Sequence, residues 1–117
     1  MGRVFGVAEL LLRPGVSEAE VEQLLGQFAA QPQPPGTRFY TLKGNRGKRD
    51  GQYLLLTEFE SVAARDRYWP ATNQSSDEMK AFDTAHPARN ELLARIVPLF
   101  AEEENFFTDY EVISASE

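Results

Sequence analysis

"RVFGVAELLL", residues 3–12, decides the fold. Two-residue alternation places Phe5, Val7, Glu9 and Leu11 on one side of a strand and Val4, Gly6, Ala8, Leu10 and Leu12 on the other. Both sets are mostly apolar, the mark of a strand covered on both sides. Whatever packs on one side, the other side also needs a cover.

Downstream, "RPGVSEAE" supplies a turn and a helix start. Ser17 is the expected N-cap, Glu20 its capping-box partner and Val16 a possible staple. Val21, Leu24, Leu25 and Phe28 then recur at i, i+3, i+4 and i+7, one core-facing helical stripe. "QPQPPG" (31–36) cannot continue that helix. Strands are expected at 37–43 and 52–60, joined as a hairpin by the basic, glycine-rich "GNRGKRDG", a long mobile tip carrying Arg46, Lys48 and Arg49. Ser61 opens a helix to about Tyr68, and "WPATNQSSDE" interrupts it. Two helical runs follow, "SDEMKAFDTA" and "PARNELLARIV", joined at His86 and ended or kinked by Pro98. Residues 105–114, rich in aromatic and β-branched side chains, read as a closing strand.

Strand, helix, strand, strand, helices, strand is a ferredoxin-like βαββαβ order. It predicts an α+β fold with a four-stranded antiparallel sheet and helices on one face. Helices of a single domain spanning 1–117 can cover only one face. The second apolar face predicts a partner, most simply another copy of the chain related by a twofold axis. Glu9 and Glu58 fall near that interface, opposite Gly6, Ala8, Tyr53 and Thr57, and Arg38 or Lys43 are their expected ion partners.

Composition narrows the chemistry. The 117 residues include no cysteine and one histidine, which excludes thiolate sites and disfavours zinc. No D-x-D-x-D-G loop is present, and "GNRGKRDG" sits in a hairpin with no helix after it, unlike a dinucleotide fingerprint; neither a metal nor a cofactor is expected. A formal charge of -6 disfavours nucleic acid. The N-terminal apolar run contains Glu9, is too short to span a bilayer and lacks a cleavage site, so neither membrane nor export is expected and the protein is placed in the cytoplasm.

"FESV" (59–62), "HPA" (86–88) and "DYEV" (109–112) resemble the dimeric α/β-barrel proteins, especially the stress-responsive A/B barrel domains. Olivetolic acid cyclase-type enzymes and antibiotic-biosynthesis monooxygenases share that superfamily. The resemblance implies two sheets packed face to face across a homodimer, with an apolar pocket between each subunit's sheet and helices. Cyclase-like members carry a second histidine where this chain has Arg89, and further pocket histidines at the places of Gly6 and Tyr53. Arginine stays protonated and cannot act as a general base, so cyclase chemistry is not implied. The segment from Tyr68 to Ala85 is longer than the family's link, a lid or structural insertion that would alter the pocket mouth.

His86 is the one residue suited to act as a catalytic base or heme ligand; the plainer reading is a joint, since Pro87 pushes it into an extended conformation ahead of a helix. Tyr53, Thr57, Tyr68, Trp69, Arg89 and Tyr110 are the expected lining for a small apolar or aromatic ligand, with plain core packing the alternative for the aromatics. Glu9 and Glu58 would form an acid/base pair if they met, and are read instead as interface residues. The functional expectation is a small-molecule pocket of undetermined activity. The alternatives are a cofactor-independent monooxygenase-like enzyme on a phenolic or polyketide-like substrate, a heme-binding protein using His86, and a non-catalytic stress-response dimer.

Overall fold

The computed structural model describes residues 2–101 and 107–116. Strand β1 spans Val4–Leu10, with Val4, Gly6, Ala8 and Leu10 buried, Phe5 and Val7 half-buried and Glu9 exposed. Then come α1 (Glu18–Ala29), β2 (Thr37–Lys43), β3 (Tyr53–Phe59), α2 (Val62–Tyr68), α3 (Asp77–Ala85), α4 (Pro87–Ile96) and β4 (Phe107–Glu111). The sheet order is β2-β3-β1-β4 and every pairing is antiparallel, the expected ferredoxin-like α+β arrangement.

β1 stops two residues short of the expected end because β3 begins at Tyr53, opposite Leu10, and offers no further pairing partner. Residues 11–13 instead run against the 97–101 segment, where Arg13 donates to the Leu99 carbonyl and Ala101 to that of Leu11. Of the expected strand 105–114, residues 105 and 106 lie outside the described residues, and regular pairing ends at Glu111. The second helical region is three helices. Ser61 caps α2 by accepting from the Ala64 amide, and Ser76 caps α3 by accepting from that of Met79. Ser76 also donates its hydroxyl to the Arg67 carbonyl, and its amide bonds the Tyr68 carbonyl at 2.9 Å, so residues 69–75 form a closed loop between α2 and α3. Pro98 ends α4 as expected, in a 3-10 turn over Val97–Leu99.

The core forms where the α1 stripe of Val21, Leu24, Leu25 and Phe28 meets Ala8, Leu10 and Tyr53, closed by Leu92, Ile96 and Phe100. The hairpin tip is held by its own turns, with the Gly44 amide donating to the Gln52 carbonyl at 2.9 Å and that of Gly51 to Gly44 at 2.7 Å. A Cβ on Gly44 would lie 2.0 Å from the Arg49 carbonyl oxygen, so only glycine permits this close approach.

The opposite face of the sheet carries no helix-side core residue and is arranged in rows by the register. Tyr40, Leu56, Val7 and Thr108 lie side by side; Leu42, Leu54 and Glu9 form the row on one side of them, and Arg38, Glu58, Phe5 and Tyr110 the row on the other. Leu42 is 42% exposed and Tyr110 58%. The centre of this face, Tyr40, Leu56, Val7, Leu54 and Phe5, is apolar and is bordered by Arg38, Glu58 and Glu9.

Candidate functional site

Beside its core stripe, α1 carries a second face made by Glu22, Gly26 and Ala29 at i, i+4 and i+7. This face lies beside Thr41 and Lys43 of the edge strand β2 and Tyr53 of β3, bordering an open groove of about 330 Å³ that Leu25 also lines. Two features keep the groove open at a cost in stability. A Cβ on Gly26 would meet nothing within 4 Å, so packing does not demand glycine there, although glycine inside a helix costs about 1 kcal/mol relative to alanine. The Thr41 hydroxyl is buried without a hydrogen-bond partner, a further cost of about 1–3 kcal/mol. Replacing Thr41 with valine, which keeps the shape and removes the hydroxyl, is expected to raise the melting temperature of the ligand-free protein by about 4 °C. A fall in melting temperature in differential scanning calorimetry would count against an unsatisfied hydroxyl.

The groove mouth is charged. Lys43 Nζ lies 3.1 Å from Glu18 and 3.0 Å from Glu22, and 5.5 Å from the centre of the Tyr53 ring. The Tyr53 hydroxyl donates to Glu22 at 2.5 Å. That bond, with the one from Lys43, holds the Glu22 carboxyl below its ordinary value of 4.5. Burial, and then the bond to Glu22, push the Tyr53 phenol up, so it remains a donor at neutral pH. Bonds to both glutamates push the Lys43 ammonium up. Because the Glu22 value is depressed in the folded chain, its contribution to stability is complete above the ordinary carboxylate range and fades as pH falls through the lowered value.

Of the residues expected to line a pocket, only Tyr53 borders this groove. Thr57 is on the helix side of the sheet, paired with Gly6 and Phe39, half-buried. Tyr68 is 1% exposed and donates its hydroxyl to the Pro35 carbonyl at 2.7 Å, pinning α2 to the proline-rich turn. Trp69 stands just past the end of α2, exposed. Tyr110 pairs with Phe5 and therefore lies on the opposite face of the sheet, away from every helix-side residue. Arg89 is enclosed by its own chain. It donates to Gln33 Oε1 at 3.3 and 3.2 Å and to Asp83 at 3.2 Å, and its guanidinium lies 4.9 Å from the Phe28 ring centre and 5.5 Å from that of Phe82. Burial lowers its pKa, partly offset by Asp83.

His86 sits at the junction of α3 and α4. Its Nδ1 is 2.9 Å from the Phe82 carbonyl oxygen, and its ring stacks on that of Phe82 at 4.1 Å and 25°. A carbonyl only accepts, so this contact assigns the ring proton to Nδ1 and leaves Nε2 without a partner among the described residues. The contacts are those of a joint between two helices. His86→Ala is expected to cost about 1 kcal/mol in urea unfolding, through one hydrogen bond and one ring stack. A loss above about 3 kcal/mol would mean that the ring does more than join helices.

Glu9 and Glu58 share the open face but lie four positions apart along paired strands, roughly 13 Å at ~3.3 Å per residue. They form no acid pair, and their partners are not Arg38 or Lys43. Glu58 accepts from the Tyr40 hydroxyl at 2.9 Å and pairs with Arg3 at 3.1 Å, while Glu9 pairs with Arg49 at 2.8 Å. Lys43 points to the helix side and is taken up by α1. Among the described residues no group of three or more histidine, aspartate or glutamate side chains could hold a metal ion. No described helix is long and apolar enough to cross a membrane.

The groove residues Glu22, Gly26, Ala29 and Thr41 were not singled out by sequence reasoning, and Lys43 only as an ion partner for the other face. The available signals were a glycine in mid-helix and threonines alternating on the helix-facing side of β2.

No family model and no curated protein matches the chain. Solved structures do. A point variant of SnoaB, a cofactor-independent oxygenase from Streptomyces nogalater, superposes with a TM-score of 0.56 at 16% identity, covering 98% of this chain and 97% of the other. A hypothetical protein of Arabidopsis thaliana gives 0.55 at 21% identity, covering 100% and 94%. A dimeric protein of unknown function and ferredoxin-like fold from Bacteroides fragilis gives 0.52 at 19% identity, covering 96% and 98%. Likeness at this level of identity is a likeness of fold: the chain has the ferredoxin-like fold.

Proposed function

We propose that the protein is a homodimeric small-molecule-binding domain, joined through the open sheet face as a dimeric α/β barrel, with one ligand site per subunit in the α1/β2 groove. The observation that carries the ligand site is the clear space over Gly26, where a Cβ would meet nothing within 4 Å, in a groove lined by Leu25, Ala29 and Tyr53. Glycine in mid-helix costs stability whether the groove is empty or filled, and the clear space it leaves for a ligand is what accounts for it there. The dimer rests on the apolar rows of the open face, and the dimeric state of the Bacteroides fragilis protein is consistent with it.

General-base chemistry in the groove would need a group that takes a proton from the substrate. Glu22, the only carboxylate lining the groove among the described residues, is engaged by Tyr53 and Lys43 and held below its ordinary range, which makes it a poor base. The geometry therefore supports binding ahead of chemistry. Titrating 15N-labelled protein with small single-ring aromatic probes at millimolar concentration tests the reading. Amide shifts are expected at Gly26, Ala29 and Thr41, with Thr57 and Tyr110 unmoved. A response confined to other regions, or none, would overturn the groove as the site.

A further inference from the structure

We infer that the ligand of this groove is a small amphipathic amine, an apolar ring or short chain carrying an ammonium group. The inference rests on the groove being the binding site. Its volume, about 330 Å³, is at the low end of small-molecule pockets and suits one ring with a short side chain. Leu25, Gly26 and Ala29 offer such a body an apolar wall with no side chain projecting from its centre.

The charges around the mouth give the sign of the head group. Two carboxylates, Glu18 and Glu22, face one ammonium, Lys43, so the mouth carries a net negative charge. Glu22 remains ionised across the neutral range. Each carboxylate has two oxygens, yet Glu18 is engaged only at Oε2, by Lys43, and Glu22 only at Oε2, by Lys43 and Tyr53. The Oε1 atoms of both remain as acceptors toward solvent. A cation entering the mouth gains these acceptors, whereas a carboxylate meets them as like charges. The whole-chain charge of -6 adds in the same direction. The Tyr53 donor and two of the three Lys43 donors are already committed to the glutamates, which leaves an anionic head group one ammonium N–H beside two carboxylates.

Three probes of matched shape separate the possibilities: 2-phenylethylamine, 2-phenylethanol and 3-phenylpropionate, titrated into the full chain at low salt and followed by the Gly26 and Thr41 amide shifts. The amine is expected to bind about threefold more tightly than the alcohol and about tenfold more tightly than the carboxylate, a modest margin because both glutamates are partly solvated. Glu22→Gln, which retains an acceptor for Tyr53, is expected to erase most of the amine's advantage while leaving alcohol binding in place. Gly26→Leu, at a position with nothing within 4 Å, is expected to fold normally by circular dichroism and to abolish binding of all three probes. If the alcohol or the carboxylate binds as tightly as the amine, and Gly26→Leu still removes it, the amine assignment is overturned while the groove stands. If no probe binds, or binding survives Gly26→Leu, the groove itself is not the site and the inference falls with it.

Discussion

Arg89→Ala is expected to lower the unfolding free energy by about 2–4 kcal/mol, measured by urea denaturation. The arginine is inserted between the Phe28 and Phe82 rings and supplies the donors for Gln33 Oε1 and Asp83. Its removal leaves a half-buried carboxylate and an amide oxygen without partners and opens a gap between two aromatic rings. It also cuts a link between α1, the 31–36 turn, α3 and α4, because Arg89 of α4 touches Phe28, Gln33, Phe82 and Asp83. Arg89→Met is expected to recover about half of the loss, since the methionine body refills the gap between the rings but donates nothing. The physical claim is that this arginine holds helices together and does not hold a ligand. Unchanged stability in Arg89→Ala, with loss of probe binding in the groove, would reverse that assignment.

Leu56→Glu is expected to weaken self-association at least about 100-fold while leaving the monomer folded, read by sedimentation equilibrium and far-UV circular dichroism. Leu56 is at the centre of the open face, with Tyr40 on one side and Val7 on the other, so a twofold-related copy would bury a carboxylate with no cation in its row. In the free subunit the same side chain is only half-buried and its charge can remain hydrated, which is why the fold should survive. A monomeric wild type at micromolar concentration would remove the reason for the open face to be a subunit interface. A Leu56→Glu chain that still associates would place the interface elsewhere on the surface.

Local periodicity carried much of the fold. The α1 stripe is spelled by Val21, Leu24, Leu25 and Phe28, and all four are buried. The alternation in residues 3–12 separated Ala8 from Glu9 correctly, because a strand reverses its side chains at each residue whatever it pairs with. Ser17 and Ser61 cap their helices through bonds to the third following amide, a contact contained within four residues. Pro98 and His86–Pro87 broke helices where proline chemistry requires it.

The candidate site was much less legible. Tyr110 looked equivalent to Tyr53 as an aromatic on a strand, yet register pairs it with Phe5 and turns it to the other face. A single-residue change in register exchanges the two faces of β4, and nothing within residues 107–111 specifies which register β1 will accept. Arg89 and His86 stood out because family members place functional groups there, but their partners here are Gln33, Asp83 and Phe82.

What this sequence determined by itself is the order and type of its elements, the helix caps and breaks, and the presence of two apolar sheet faces. Each depends on neighbours within a few residues, through steric preference, periodicity and local hydrogen bonding. Only the tertiary structure decided that Gly26 lies beside Thr41, that Lys43 turns to Glu18 and Glu22, and that Glu9 and Glu58 stay apart. Those outcomes follow from how α1 seats on the sheet and from strand register. Both are settled by packing between distant segments, where no local pattern in the chain records the result.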